Sequence, residues 1–176
     1  MKIYFAAIIT YLLFTTTGNS QTTALPVNED TKLITYQEVV EVEGNKETFF
    51  IRAVSWINGY YKKPMDVTKT RQANSGLIEG LHRFRLKNIA QDGTKTDAGT
   101  IQYSFVLNFK EGRYRYTMTN FVLRQTSKLP VEKWLNDSDP QIQSYLTQID
   151  EFAQSWIKSL KEGMQPKAEK KDDNDW

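Results

Sequence analysis

Apolar and polar residues alternate strictly from Thr100 to Lys110, with Ile101, Tyr103, Phe105, Leu107 and Phe109 on one side. A period of two marks a strand with one buried face. Arg113–Arg124 repeats the pattern through Tyr114, Tyr116, Met118, Asn120 and Val122, and Glu111-Gly112 between them suits a two-residue primed turn. Such a turn pairs Lys110 with Arg113, and therefore Phe109 with Tyr114, Leu107 with Tyr116 and Phe105 with Met118. The two apolar faces then coincide, which fixes the register.

Three further strands are predicted. In Lys32–Glu43, Ile34, Tyr36, Val40 and Val42 share a face, with Glu38 among them. In Gly76–Lys87, Ile78, Gly80, His82, Phe84 and Leu86 face one way. Leu77, Glu79, Leu81, Arg83, Arg85 and Lys87 face the other. Met65–Ala73 is more polar and belongs at a sheet edge. Asn74-Ser75-Gly76 is a turn signal, and Asn88–Gly99 reads as a loop punctuated by Asp92-Gly93 and Ala98-Gly99.

Two segments carry the helical period instead. After Gly44-Asn45, Lys46–Tyr61 presents Phe49, Phe50, Ala53, Val54, Trp56, Ile57 and Tyr60 as one stripe, and Pro64 stops it. Asp137-Ser138-Asp139-Pro140 opens the second, whose face runs from Ile142 through Trp156 to Leu160, with Gly163 as its C-terminal cap. A short helical turn is expected in Leu129–Asn136. Ala53-Val54-Ser55-Trp56-Ile57 is echoed by Ala153-Gln154-Ser155-Trp156-Ile157; equivalent contacts of two helices with the sheet, shared helix chemistry or chance each account for such a match, and no duplication is inferred. The order strand, helix, about four strands, helix predicts an α+β fold: an antiparallel sheet of about five strands with both helices on one face. The other face is left free.

The first twenty residues stand apart. Lys2 precedes a nearly unbroken apolar run from Ile3 to Phe14, followed by small and polar residues to Ser20. This is the layout of a secretory signal peptide cut before Gln21. The run is shorter than the about 20 residues that span a bilayer. The expected organisation is therefore a signal peptide over 1–20, a single domain over 21–163 and a charged tail over 164–176. The mature chain is expected to be secreted or periplasmic, with no membrane anchor. There is no cysteine, which excludes disulfides, thiolate metal sites, cysteine nucleophiles and lipid attachment after the cut. The chain has 23 Lys and Arg against 21 Asp and Glu, so no global field favours nucleic acid.

The opening LPVNEDTKLITYQEVVEVEG, the helix KETFFIRAVSWINGYYKK and the strand GLIEGLHRFRLK resemble an uncharacterised secreted family, a domain of unknown function with a TATA-binding-protein-like (TBP-like) fold. The resemblance extends from about Leu25 to Leu160. It implies a sheet with two helices on one face. It implies no activity and supplies no catalytic residue, and the fold label does not import DNA binding.

The chemistry on offer is sparse. His82 is the only histidine, and no nucleophile elbow or phosphate-binding glycine loop is present. Catalytic residues, cofactors and metals are therefore expected to be absent. Two sites remain. Arg83, Arg85 and Lys87 alternate along one strand, and Arg113 and Arg115 flank the hairpin, all on the free face. That arrangement predicts a non-enzymatic binding or adaptor module for an envelope protein, glycan or lipid headgroup. The alternative is a small-molecule or lipid carrier. Its pocket would lie between helices and sheet at Tyr36, Glu38, His82 and Asn120, polar groups in the inward phase that need partners there. A hydrolase comes last.

Overall fold

A computed structural model describes residues 24–125 and 127–166. The signal-peptide pattern and nearly all of the charged tail lie outside them. In chain order the elements are β1 (Tyr36–Glu41), α1 (Lys46–Tyr60), α2 (Pro64–Val67), β2 (Thr68–Gln72), β3 (Leu77–Ile89), β4 (Lys95–Lys110), β5 (Arg113–Arg124), β6 (Lys128–Pro130), a 3-10 turn (Val131–Trp134) and α3 (Pro140–Met164). The sheet is antiparallel, in the order β1-β5-β4-β3-β2, and the short β6 also pairs with β5. Among the described residues no helix is long and apolar enough to cross a membrane.

The central hairpin has the register its alternation demands. Lys110 lies opposite Arg113, Phe109 opposite Tyr114, Leu107 opposite Tyr116 and Phe105 opposite Met118. The loop geometry differs from expectation. Of Glu111 and Gly112 only the glycine has a positive φ, 67°, so the turn is not primed. The Gly112 N–H instead donates to the Gly44 carbonyl at 2.9 Å, and the Val42 N–H donates to the Gly112 carbonyl at 3.2 Å. These bonds tie the hairpin tip to the β1–α1 connection.

Both long helices pack on the inward face. Phe49 of α1 meets Tyr114 at 5.9 Å between ring centroids, and Trp156 of α3 meets Phe105 at 5.5 Å. The repeated Ala-x-Ser-Trp-Ile stretches meet each other. Trp56 and Trp156 pack edge to face at 5.2 Å, beside the fully buried Ala53 and Ala153. Asn45 caps α1 by accepting from the Thr48 N–H at 2.8 Å, and Asp139 caps α3 by accepting from the Gln141 N–H at 2.7 Å.

Several boundaries depart from the pattern. β1 starts at Tyr36, because Ile34 is used in an isolated bridge to Val27. Pro64 opens the short α2 instead of merely ending α1, so β2 is confined to Thr68–Gln72. The expected loop Asn88–Gly99 is mostly strand: β3 and β4 extend into it from either side, with Ile89 opposite Lys95, and only 90–94 connect them. Gly163 is not the cap but the next-to-last residue of α3, placed where Trp56 leaves no room for a Cβ.

The largest correction concerns β5. Ser104 lies opposite Thr119 and Gln102 opposite Val122, so Asn120 is the extra residue of a bulge, with φ 57°. The bulge reverses the phase. Asn120 is exposed, while Phe121 and Leu123, which an unbroken alternation with Tyr114, Tyr116 and Met118 turns outward, are buried in the core.

Candidate functional site

The sheet face away from the helices carries the expected basic residues, with Arg83, Arg85, Arg113 and Arg115 exposed and Lys87 half-buried. They do not form one patch. Arg83 is opposite Gln102 of β4, and Arg115 is opposite Asn108. Six residues along a strand separate the two groups by roughly 20 Å. Both groups also have local partners. Arg85 pairs with Asp97 at 2.9 Å, and Arg115 donates to Asn108 Oδ1 at 3.1 Å. A shallow hollow of about 230 Å³ lies between the second group and the exposed Val39.

The expected inward cluster is dispersed. Tyr36 and Glu38 belong to β1, which lies three strand spacings from His82 on β3, about 14 Å. Each group is served locally. Tyr36 donates to Asp150 Oδ1 of α3 at 2.8 Å. Glu38 accepts from Tyr116 at 2.7 Å and from Lys161 at 2.8 Å. The Lys161 bond, then the Tyr116 bond, holds the Glu38 carboxyl below its ordinary range. Asn120 is turned out by its bulge.

Of these residues His82 alone lines a cleft, with a volume of about 750 Å³. The cleft opens where α1 ends against the middle of β3. Its wall is aromatic: Tyr60 and Tyr61 from the end of α1, Phe84 from β3 and Phe152 from α3. Phe84 and Phe152 stack at 4.0 Å. The cleft also contains Lys62, Lys63, Lys69 and Arg83, against one acid, Asp66. Tyr60-Tyr61-Lys62-Lys63 belongs to neither of the two sites expected from the sequence, where it is the end of an amphipathic helix. An aromatic pair followed by a basic pair ahead of Pro64 was the available signal.

The inner wall is rigid. Trp156 Nε1 donates to the Tyr61 hydroxyl at 2.7 Å, and Tyr61 and Tyr103 share a hydrogen bond of 3.2 Å. Burial pushes both phenols well above the usual tyrosine range. His82 sits edge-on to Tyr61 at 4.8 Å. Its Nδ1 is buried and has no hydrogen-bond partner among the described residues. Burial, reinforced by the neighbouring Arg83 charge, pushes the imidazole below its ordinary value. The arrangement offers apolar contact, cationic attraction and one neutral imidazole. Among the described residues no group of acidic or histidine side chains is placed to hold a metal.

An antiparallel sheet backed on one face by two long helices, one from each end of the sequence, defines a TBP-like α+β domain. The chain belongs to the family described as a domain of unknown function (DUF4468) with TBP-like fold, whose model matches residues 36–124, just over half of the chain. Two solved structures share the fold. A TBP-like protein from Parabacteroides distasonis is 16% identical with a TM-score of 0.63, over 77% of this chain and 95% of that one. A DUF4468 family protein from Bacteroides ovatus is 13% identical with a TM-score of 0.66, over 80% and 91%. No curated protein matches the chain.

Proposed function

We propose that this protein is a non-enzymatic binding module of the cell envelope or the extracellular space, and that its ligand sits in the cleft beside β3. The signal-peptide pattern of residues 1–20 supports the compartment. The observation that carries the site is the cleft itself: about 750 Å³ with aromatic walls, four cationic side chains and a single acid. Pockets of this size with an apolar lining and a few polar groups are the usual seats of small ligands. The chemistry favours an anionic group on an apolar or aromatic body. Compared with the open face, the cleft gathers its charges within one concavity, whereas the face divides them between two ends.

Titration with 8-anilinonaphthalene-1-sulfonate, an anionic aromatic probe, tests the reading. Saturable binding should be weakened about tenfold by Lys62→Ser with Lys63→Ser, the loss of about one favourable charge contact. The melting temperature should stay unchanged, because both lysines lie beyond the end of α1. Arg113→Ser with Arg115→Ser should leave binding intact. The reverse pattern would move the seat to the open face and overturn the proposal.

A further inference from the structure

We infer that the cleft takes an extended acidic peptide, added to β3 as a further strand; the inference rests on the cleft being the ligand seat. β2 pairs with β3 only from Leu77, opposite Gln72, to Gly80, opposite Thr68. Beyond Gly80, β3 runs on to Ile89 and pairs, among the described residues, with β4 alone. Its other edge is open.

A side chain of α3 shows which backbone groups face that edge. The Lys87 N–H donates to Gln148 Oε1 at 3.0 Å, and Gln148 Nε2 donates to the Lys87 carbonyl at 2.9 Å. One amide thus reproduces the paired bonds of a neighbouring strand, and it does so from the side opposite β4. Backbone groups alternate sides along a strand. The irregularity opposite Leu86 and Lys87 skips Ala98 of β4, so the alternation of β3 is unbroken. The N–H and C=O groups of Leu81, Arg83 and Arg85 therefore point to the same edge as those of Lys87. Between Leu81, which flanks the last pair with β2, and Lys87, where Gln148 begins, lies an unpaired stretch of about 20 Å. It fits a segment of about six residues.

The cleft runs along that stretch. Leu81 and Arg83 reach it from the open face, and His82 and Phe84 reach it from the helix face. Both faces of one strand line a single cavity only when the cavity follows the strand edge. An added strand would place alternate side chains in two environments, one beside Arg83 and the other beside Phe84, Tyr60 and Phe152. The complementary sequence alternates acidic and aromatic residues. Main-chain bonds would supply affinity, and the two rows of side chains would supply selectivity, as in other strand-addition sites.

The test titrates the isotope-labelled protein with acetyl-Glu-Tyr-Glu-Tyr-Glu-Tyr-amide and with two copies N-methylated at alternate residues, following backbone amide resonances. The peptide should bind saturably, shift the amides of Leu81, Arg83 and Arg85 and slow the hydrogen exchange of Arg83 and Arg85. One methylated copy, blocked on the edge that faces β3, should bind about tenfold more weakly, and the other should match the parent. Equal binding of all three peptides in the cleft would overturn strand addition and leave the cleft reading standing. So would binding of 8-anilinonaphthalene-1-sulfonate there with no peptide binding. Absence of both in the cleft, or peptide shifts confined to Arg113 and Arg115, would overturn both.

Discussion

Replacing Gly163 with Ala should destabilise the protein, against the local preference of its helix. Gly163 is the next-to-last residue of α3, where Ala is favoured over Gly by up to about 1 kcal/mol. A Cβ at this position would stand 2.6 Å from Trp56 Cδ1, 2.8 Å from Cγ and 2.9 Å from Cβ. Restoring ordinary contact requires α3 or the indole to move by about 0.8 Å, and overpacking of this kind costs about 1–3 kcal/mol. Trp56 has little freedom. Its Nε1 donates to Ser159 at 3.1 Å, and its ring stacks on Tyr60 at 5.1 Å and meets Trp156 at 5.2 Å. The clash therefore outweighs the propensity, with a net loss of up to about 2 kcal/mol. Thermal unfolding should show it as a fall of about 2–4 °C per kcal/mol for a domain of this size. In a Trp56→Ala background only the contact to Cβ, at 2.9 Å, remains, and the same change should cost less. A rise in melting temperature for Gly163→Ala in the native background, or an equal fall in both, would refute the reasoning.

Tyr61→Phe should cost about 2–4 kcal/mol in urea denaturation, because it strands the buried Trp156 N–H and removes the partner of the Tyr103 hydroxyl. Tyr60→Phe, which breaks no recorded hydrogen bond, should cost far less, and equal losses would contradict the network. Asn120→Val should lower stability by about 1–2 kcal/mol while Asn120→Gly stays near neutral, since φ there is 57°. A Val variant as stable as the native protein would mean the bulge has been lost. Stability should fall as pH drops below the ordinary histidine value of 6.5, because the unfolded chain takes up a proton that His82, with its pKa depressed by burial, takes up only at lower pH. His82→Gln should flatten that slope in urea midpoints measured across the window. Glu38 contributes in a separate range, its stabilisation present above its ordinary value of 4.5 and lost as pH falls through its lower folded value.

Much of the fold was legible because its signals were local and repeated. Alternation in Thr100–Lys110 and Arg113–Arg124 set the central register, and Asn45 and Asp139-Pro140 marked both long helices. Asn120 broke the rule because one inserted residue reverses a period-two pattern without altering composition. Gly163 read as a cap because sequence does not show a tryptophan from the other end of the chain lying against it. The candidate site was less legible still. Of the inward polar residues only His82 reaches the cleft, since Tyr36 and Glu38 find partners in α3 that have no marker in the sequence. The cleft wall draws on α1, β3 and α3, elements whose adjacency is a product of topology.

The contact between Trp56 and α3 also has a kinetic consequence. The hydrogen bond from Trp56 to Ser159 joins residues 103 apart in sequence, whereas β3, β4 and β5 are joined by short turns. Contacts between distant residues form slowly, because a long loop must close before they contribute. The strand meander is thus expected to assemble first, with docking of α3 onto α1 as the late step, visible as indole fluorescence in a stopped-flow experiment. The aromatic wall of the cleft, to which α1 gives Tyr60 and α3 gives Phe152, is completed only in that step, so recognition follows the last closure of the chain.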